Sequence, residues 1–238
     1  MHLRTTLLFL CILLSSGLAY SLPSSGADHA VSSAHPLATQ AGIEILERGG
    51  NAADAAAAVA FVLAVVEPYS SGLGGGGFAL TQFRSNIEFL DFRETAPAAA
   101  HRDMYLVDGE PRNDLSRDGI LSVAVPGAIL GYLQLHERFG VLPREIVLRK
   151  ASLLAKEGFP VTPRYQKYAT WRFNLLAADA YTASIFLSKG EQGGWKIPEL
   201  GDTIRQPDLA KTLQTLALDG ADTFYKGPLG DTFITDIK

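Results

Sequence analysis

Hydrophobic positions along this chain follow two different periods. Ala55 to Val66 carries no polar side chain, the mark of a helix buried on every side, and its alanines let neighbouring backbones come close. Asn51 stands where a helix N-cap is expected and Asp54 falls in the first turn, where a carboxylate suits the helix dipole. The apolar run is well short of the roughly 20 residues needed to cross a bilayer. Ahead of it, Leu37, Ala41, Ile45 and Leu46 are spaced for an amphipathic helix over residues 37–48, stopped by Gly49-Gly50.

After Glu67-Pro68 the period changes. Gly74 to Gly77 are four consecutive glycines set directly between Leu73 and Phe78-Ala79-Leu80. Glycine forfeits the most backbone entropy on folding, so such a run implies positive φ or very close backbone approach, in a packed turn rather than a linker. The string Gly72 to Gly77 also satisfies a dinucleotide-binding pattern, but that motif needs a strand before it and a helix after it. The order here is the reverse, helix then strand, and the match is accidental. Residues 78–83 and 87–93 read as a hairpin through Arg84-Ser85-Asn86. In the second strand Ile87, Phe89, Asp91 and Arg93 share one face and Glu88, Leu90, Phe92 and Glu94 the other. Both faces begin apolar and end charged, which predicts a strand sandwiched between layers with its far end at a cleft.

Further on, residues 120–125 read as a strand ended by Pro126-Gly127, and residues 128–139 as a helix stopped by Gly140. Helices follow from Pro143 to Glu157, after the Thr162-Pro163 cap, and over 208–218, with a Gly-containing loop at 190–202. The chain stops within what reads as a new helix, so a truncated product is expected.

Composition narrows the class. With 238 residues, 47% hydrophobic and 19% charged, the chain can build a sizeable core. A net charge of −4 with no basic cluster argues against nucleic acid or an anionic membrane surface as partner. Residues 1–19 have the layout of a secretory signal: Arg4, an apolar run from Leu7 to Leu14, and small residues at Gly17-Leu18-Ala19. Cleavage there removes Cys11, the one cysteine, so the mature chain holds no disulfide even in a periplasmic or extracellular setting. Residues 20–28 form a polar lead, and residues 29–238 the folded part. No stable membrane anchor is expected.

Candidate chemistry is sparse. Neither a Gly-x-Ser-x-Gly elbow nor a P-loop occurs. His29, His35, His101 and His136 lack metal-ligand spacing, so they read as packing or surface residues, and no metal site or cofactor is expected. Asp91 and Glu94 are close enough in sequence to form an acid and base pair, although nearby acids on a strand are commonplace. Arg93 has two readings of equal standing: an internal partner for Asp91, or a planar fork for a substrate carboxylate.

Several segments together carry a resemblance. Ala34-His35-Pro36-Leu37-Ala38, Gly49 to Ala55, Val65-Val66-Glu67-Pro68, Ser71 to Phe78, Asp91 to Pro97, Val125-Pro126-Gly127, His136 to Gly140, Glu157 to Pro160, Gln206 to Ala210 and Phe224 to Pro228 resemble, in order, the N-terminal part of the large subunit of the gamma-glutamyltranspeptidase (glutathione hydrolase) family. The resemblance spans nearly everything after residue 28.

The resemblance implies an α+β fold of the N-terminal-nucleophile hydrolase type, an αββα sandwich that this chain would hold only in part. It implies a precursor that cuts itself into two subunits. The small subunit's N-terminal threonine then takes the γ-glutamyl group of glutathione or another γ-glutamyl compound and passes it to water, an amino acid or a peptide. On this basis Arg93 binds the donor's α-carboxylate, the glycines 74–77 serve packing, and the nucleophile lies beyond this chain. The missing small subunit and small γ-glutamyl compounds are the implied partners, and no cofactor is implied. The alternative is a non-catalytic secreted fragment that lacks the nucleophile.

Overall fold

Helix α1 (Pro36–Glu47) starts where His35 Nδ1 accepts from the Leu37 N–H at 3.2 Å, with Pro36 at the first helical position, where its missing N–H costs nothing. Gly49, at φ 86°, reverses the chain, a conformation that side chains with a Cβ resist. Helix α2 (Ala52–Val66) opens on a capping box, in which Asn51 Oδ1 accepts from Ala53 N and Asp54 N while Asp54 Oδ2 accepts from Asn51 N at 2.8 Å.

The computed structural model describes residues 29–237; the signal segment and polar lead read at 1–28 lie outside the described residues. Residues from Val31 onward form one compact unit. Its core is helical. Helix α2 lies against α1 and against α3 (Ala128–Phe139) and α4 (Arg144–Glu157), and α4 in turn lies against α8 (Pro207–Asp219). Ala57, Ala58, Phe61, Val62 and Val65 of α2 are fully buried against Ile129, Leu133, Val147, Leu148 and Ala151. The continuous apolar run of α2 is explained by this central place, although Ala56 reaches solvent. Between α4 and α8 come α5 (Pro163–Trp171), α6 (Phe173–Ala178) and α7 (Ala180–Phe186). The short helix α9 (Asp222–Tyr225) and then α10 (Pro228–Ile237) follow α8.

Strands are few among the described residues. β1 (Phe78–Phe83) and β2 (Asn86–Asp91) pair antiparallel with Phe78 opposite Asp91 and Phe83 opposite Asn86. Arg84, at φ 57°, takes the positive-φ place in the intervening turn. Three further two-stranded pieces are only two residues long on each strand.

Two expectations need correction. The stretch 120–125 is not a strand: Ile120–Ser122 is a 3₁₀ turn and only Val125 pairs, in an isolated bridge to Thr95. The side chains there are β-prone, but among the described residues no neighbouring strand accepts their backbone bonds. The hairpin is likewise covered on one side only. Its inner face packs Leu90, Ala79 and Phe83 on Ala53, Leu135 and Phe139, with the Phe83 and Phe139 rings stacked at 4.7 Å. On the outer face Phe78, Leu80, Ile87 and Phe89 are all more than half exposed.

Candidate functional site

β2 ends at Asp91, and the next four residues are held from both sides by backbone. Phe92 and Gly77 exchange hydrogen bonds, Phe92 N to Gly77 O at 3.0 Å and Gly77 N to Phe92 O at 3.2 Å. Thr95 and Val125 do the same at 3.2 and 2.9 Å. The segment carrying Arg93 thus lies between the glycine run and the approach to α3.

Close approach accounts for Gly76 and Gly77 only; an added Cβ at Gly74 would meet nothing within 4 Å. None of Gly74 to Gly77 has positive φ. A Cβ at Gly76 would lie 2.6 Å from Phe92 O and 2.7 Å from Glu94 N, and a Cβ at Gly127 only 2.1 Å from Phe92 O. Gly75 has a different task. Its carbonyl accepts from both Gly127 N and Ala128 N at 2.9 Å, satisfying two of the free donors at the start of α3, which has no side-chain cap. Tyr225 steadies the same corner from α9, donating its hydroxyl to Pro126 O at 2.7 Å while the oxygen accepts from Leu130 N at 3.3 Å.

The two readings of Arg93 separate on this geometry. Asp91 Oδ1 accepts the backbone N–H of Arg93 at 3.0 Å rather than pairing with its guanidinium. The guanidinium donates through Nε to Glu94 Oε2 at 3.2 Å, and its Cζ stands 5.7 Å from the centre of the Phe78 ring. The two Nη groups have no hydrogen-bond partner among the described residues. The Arg93 side chain is 63% exposed and that of Glu94 29%, so the pair itself adds little stability, about 1 kcal/mol at most. The alternation that puts Arg93 beside Asp91 on one face assumes a strand extending to 93. β2 itself stops at Asp91, yet Arg93 keeps the outer face, over the Phe78 ring opposite Asp91, and Phe92 packs inward with Leu90; with Asp91 Oδ1 taken by the Arg93 backbone N–H, the guanidinium turns to Glu94.

Two carboxylates are buried at the two ends of α2. Glu67, 2% exposed, accepts from the Ser70 hydroxyl at 2.7 Å and faces Arg164 Nη1 at 3.5 Å. It ties the turn that leads into the glycine run to α5. Tyr69 donates to the same carboxylate at 3.5 Å, and burial, reinforced by the Glu67 charge, pushes its phenol up to about 12. Asp54, fully buried, accepts from Val141 N at 3.1 Å and Leu142 N at 3.3 Å, in addition to Asn51 N. His136 Nε2 lies 3.3 Å from Asp54 Oδ1 and 2.8 Å from Leu142 O. His35 and His136 are thus packing residues. The Asn51 to Asp54 spacing signals a cap, but nothing in the order of residues reveals its second partners 87 and 88 positions away.

Among the described residues no group of three or more His, Cys, Asp or Glu could hold a metal ion, and no helix is long and apolar enough to cross a membrane. An open cleft of about 590 Å³ lies between Tyr69, Tyr168, Trp171 and Arg172; Arg93 does not line it.

The arrangement can now be set beside known proteins. The family model described as gamma-glutamyltranspeptidase matches residues 38–238. The glutathione hydrolase proenzyme of Escherichia coli strain K12 is 37% identical over 211 residues, covering 87% of this chain and 36% of that protein. The proenzyme of Pseudomonas aeruginosa is 37% identical over 237 residues, covering 99% of this chain and 40% of that protein. The crystal structure of Helicobacter pylori gamma-glutamyltranspeptidase superposes with a TM-score of 0.83 at 33% identity, covering 90% of this chain and 61% of that one. The chain therefore spans about two fifths or less of the curated relatives named here, and its fold is part of the mixed helix-and-strand N-terminal-nucleophile hydrolase architecture. Matched by the family model over residues 38–238, and by relatives 37% identical over most of its length, this chain belongs to the gamma-glutamyltranspeptidase family.

Proposed function

We infer that this chain supplies the carboxylate-binding part of a γ-glutamyl donor site, with Arg93 as the residue that grips the donor's α-carboxylate. The observation that carries this reading is the Arg93 guanidinium, which stands at the surface on a backbone fixed from both sides, Nε directed to Glu94 and both Nη groups without a hydrogen-bond partner among the described residues. A planar fork so presented suits a carboxylate better than a point charge would. The complete protein transfers the γ-glutamyl group of glutathione and related compounds to water or to amino acid and peptide acceptors. Its nucleophile is the threonine that heads the small subunit, and that subunit is this chain's partner. The hydroxyl adds to the γ-carbonyl, the amide C–N bond breaks, the leaving amine takes the proton, and water or an acceptor amine releases the acyl group. The threonine's own α-amine serves as base, so no histidine relay is required. The sequence over residues 1–19 supports a periplasmic or secreted location.

The test is Arg93→Lys in the complete protein. The Michaelis constant for a γ-glutamyl donor should rise about tenfold or more, since one bidentate charged contact becomes a single one. An unchanged constant refutes the role given to Arg93.

A further inference from the structure

We propose that Phe92 is the positioning residue for Arg93, and that the glycine seat holding its ring is a functional part of the donor site; this rests on the reading of Arg93 given above. The backbone and the ring are fixed independently. On the backbone side, Phe92 O is enclosed by Gly76 and Gly127, where added Cβ atoms would stand 2.6 and 2.1 Å away. On the ring side, a Cβ at Gly131 of α3 would lie 2.0 Å from Phe92 Cγ and 2.4 and 2.5 Å from Cδ2 and Cδ1. The ring therefore rests on the bare backbone of α3. Gly77 meets its far edge, with a Cβ placed 3.0 Å from Cε2, and Tyr132 meets it edge-on at 5.7 Å and 78°.

Helix α3 has no need of glycine at position 131 for its own sake, since glycine costs a helix interior about 1 kcal/mol relative to alanine. What it provides is depth for the Phe92 ring. Neighbouring residues of an extended segment point to opposite sides, so a ring sunk into α3 turns the Arg93 side chain outward, and any rise of the ring carries the guanidinium with it. Reactive groups displaced by about 1 Å commonly lose up to a hundredfold in rate.

The experiment compares Gly131→Ala and Phe92→Ala with Arg93→Ala in the complete protein, using two donors: a γ-glutamyl amide and the matching 4-aminobutyryl amide, which lacks the α-carboxylate. The readout is the ratio of kcat/KM for the two donors, which does not depend on how much protein is folded. Gly131→Ala should cut the preference for the carboxylate-bearing donor about tenfold, chiefly through KM. Phe92→Ala, which removes the ring and Cγ altogether, should lower the preference as well, because nothing then seats the segment on α3. If Arg93→Ala abolishes the preference while Gly131→Ala and Phe92→Ala both leave it intact, the positioning role is refuted and Arg93 stands. If Arg93→Ala itself leaves the preference unchanged, the underlying reading of the site falls, and this inference with it.

Discussion

Replacing Asp54 by alanine should be among the most damaging single changes in this chain. Its carboxylate accepts from three backbone donors, Asn51 N at 2.8 Å, Val141 N at 3.1 Å and Leu142 N at 3.3 Å, and faces His136 Nε2 at 3.3 Å. A hydrogen bond to a charged group contributes about 1.5–3 kcal/mol, and a buried donor left unpaired costs about 1–3 kcal/mol. Val141 is exposed and Asn51 partly so, which lets water reach some of the orphaned N–H groups. The expected loss is therefore about 3–5 kcal/mol rather than the full sum. Asn51→Ala, which removes the reciprocal cap and the bond from Asn51 Nδ2 to Phe139 O, should cost about 1–2 kcal/mol. Urea unfolding followed by circular dichroism measures both. With an m-value of about 2–3 kcal/mol/M, Asp54→Ala should move the midpoint down by more than about 1 M. A shift no larger than that of Asn51→Ala would show that Asp54 is only a local helix cap and that the tie to 141–142 carries no stability.

Two further outcomes follow from the buried polar groups. Burial lowers the His35 pKa below its ordinary 6.5 despite the nearby Glu67 charge, and Arg164 adds to the lowering. The folded state thus resists a proton that the unfolded chain accepts, so this contribution is complete above about pH 6.5 and is lost as pH falls through the depressed folded value. His35→Asn keeps a capping side chain, and its unfolding midpoint should fall less than that of the unaltered chain between about pH 7.5 and pH 5; parallel pH curves would refute the assignment. Glu67→Gln removes one of the causes that raise Tyr69 but leaves its burial, so the Tyr69 ionisation, followed by NMR of ring-labelled tyrosine, should move down toward its ordinary 10. An unmoved titration would show that the Glu67 charge does not reach the phenol.

Residue order alone determined the helical frame. The apolar run after Asn51, the stops at Gly49, Gly140, Gly158 and Gly220, and the prolines opening α1, α5 and α8 act through local backbone preferences and short-range caps, and the structure places helices α1, α2, α3, α4 and α8 accordingly. The hairpin was legible for the same reason, its two strands being adjacent in sequence. Tertiary structure decided what depends on distant backbone. Residues 120–125 are strand-like in composition but, among the described residues, have no strand pairing beyond the bridge to Thr95. The outer face of the hairpin is open, because no second layer packs against it among the described residues. Arg93 could be named from motif resemblance, yet that its guanidinium meets Glu94 and not Asp91, whose Oδ1 takes the Arg93 backbone N–H, depends on the folded geometry. Phe92 gave no chemical signal at all, since a phenylalanine beside an arginine reads as ordinary core. Only folding sets its ring on Gly131, 39 positions away in the numbering, because contact between a ring and a bare helix backbone leaves no trace in local periodicity.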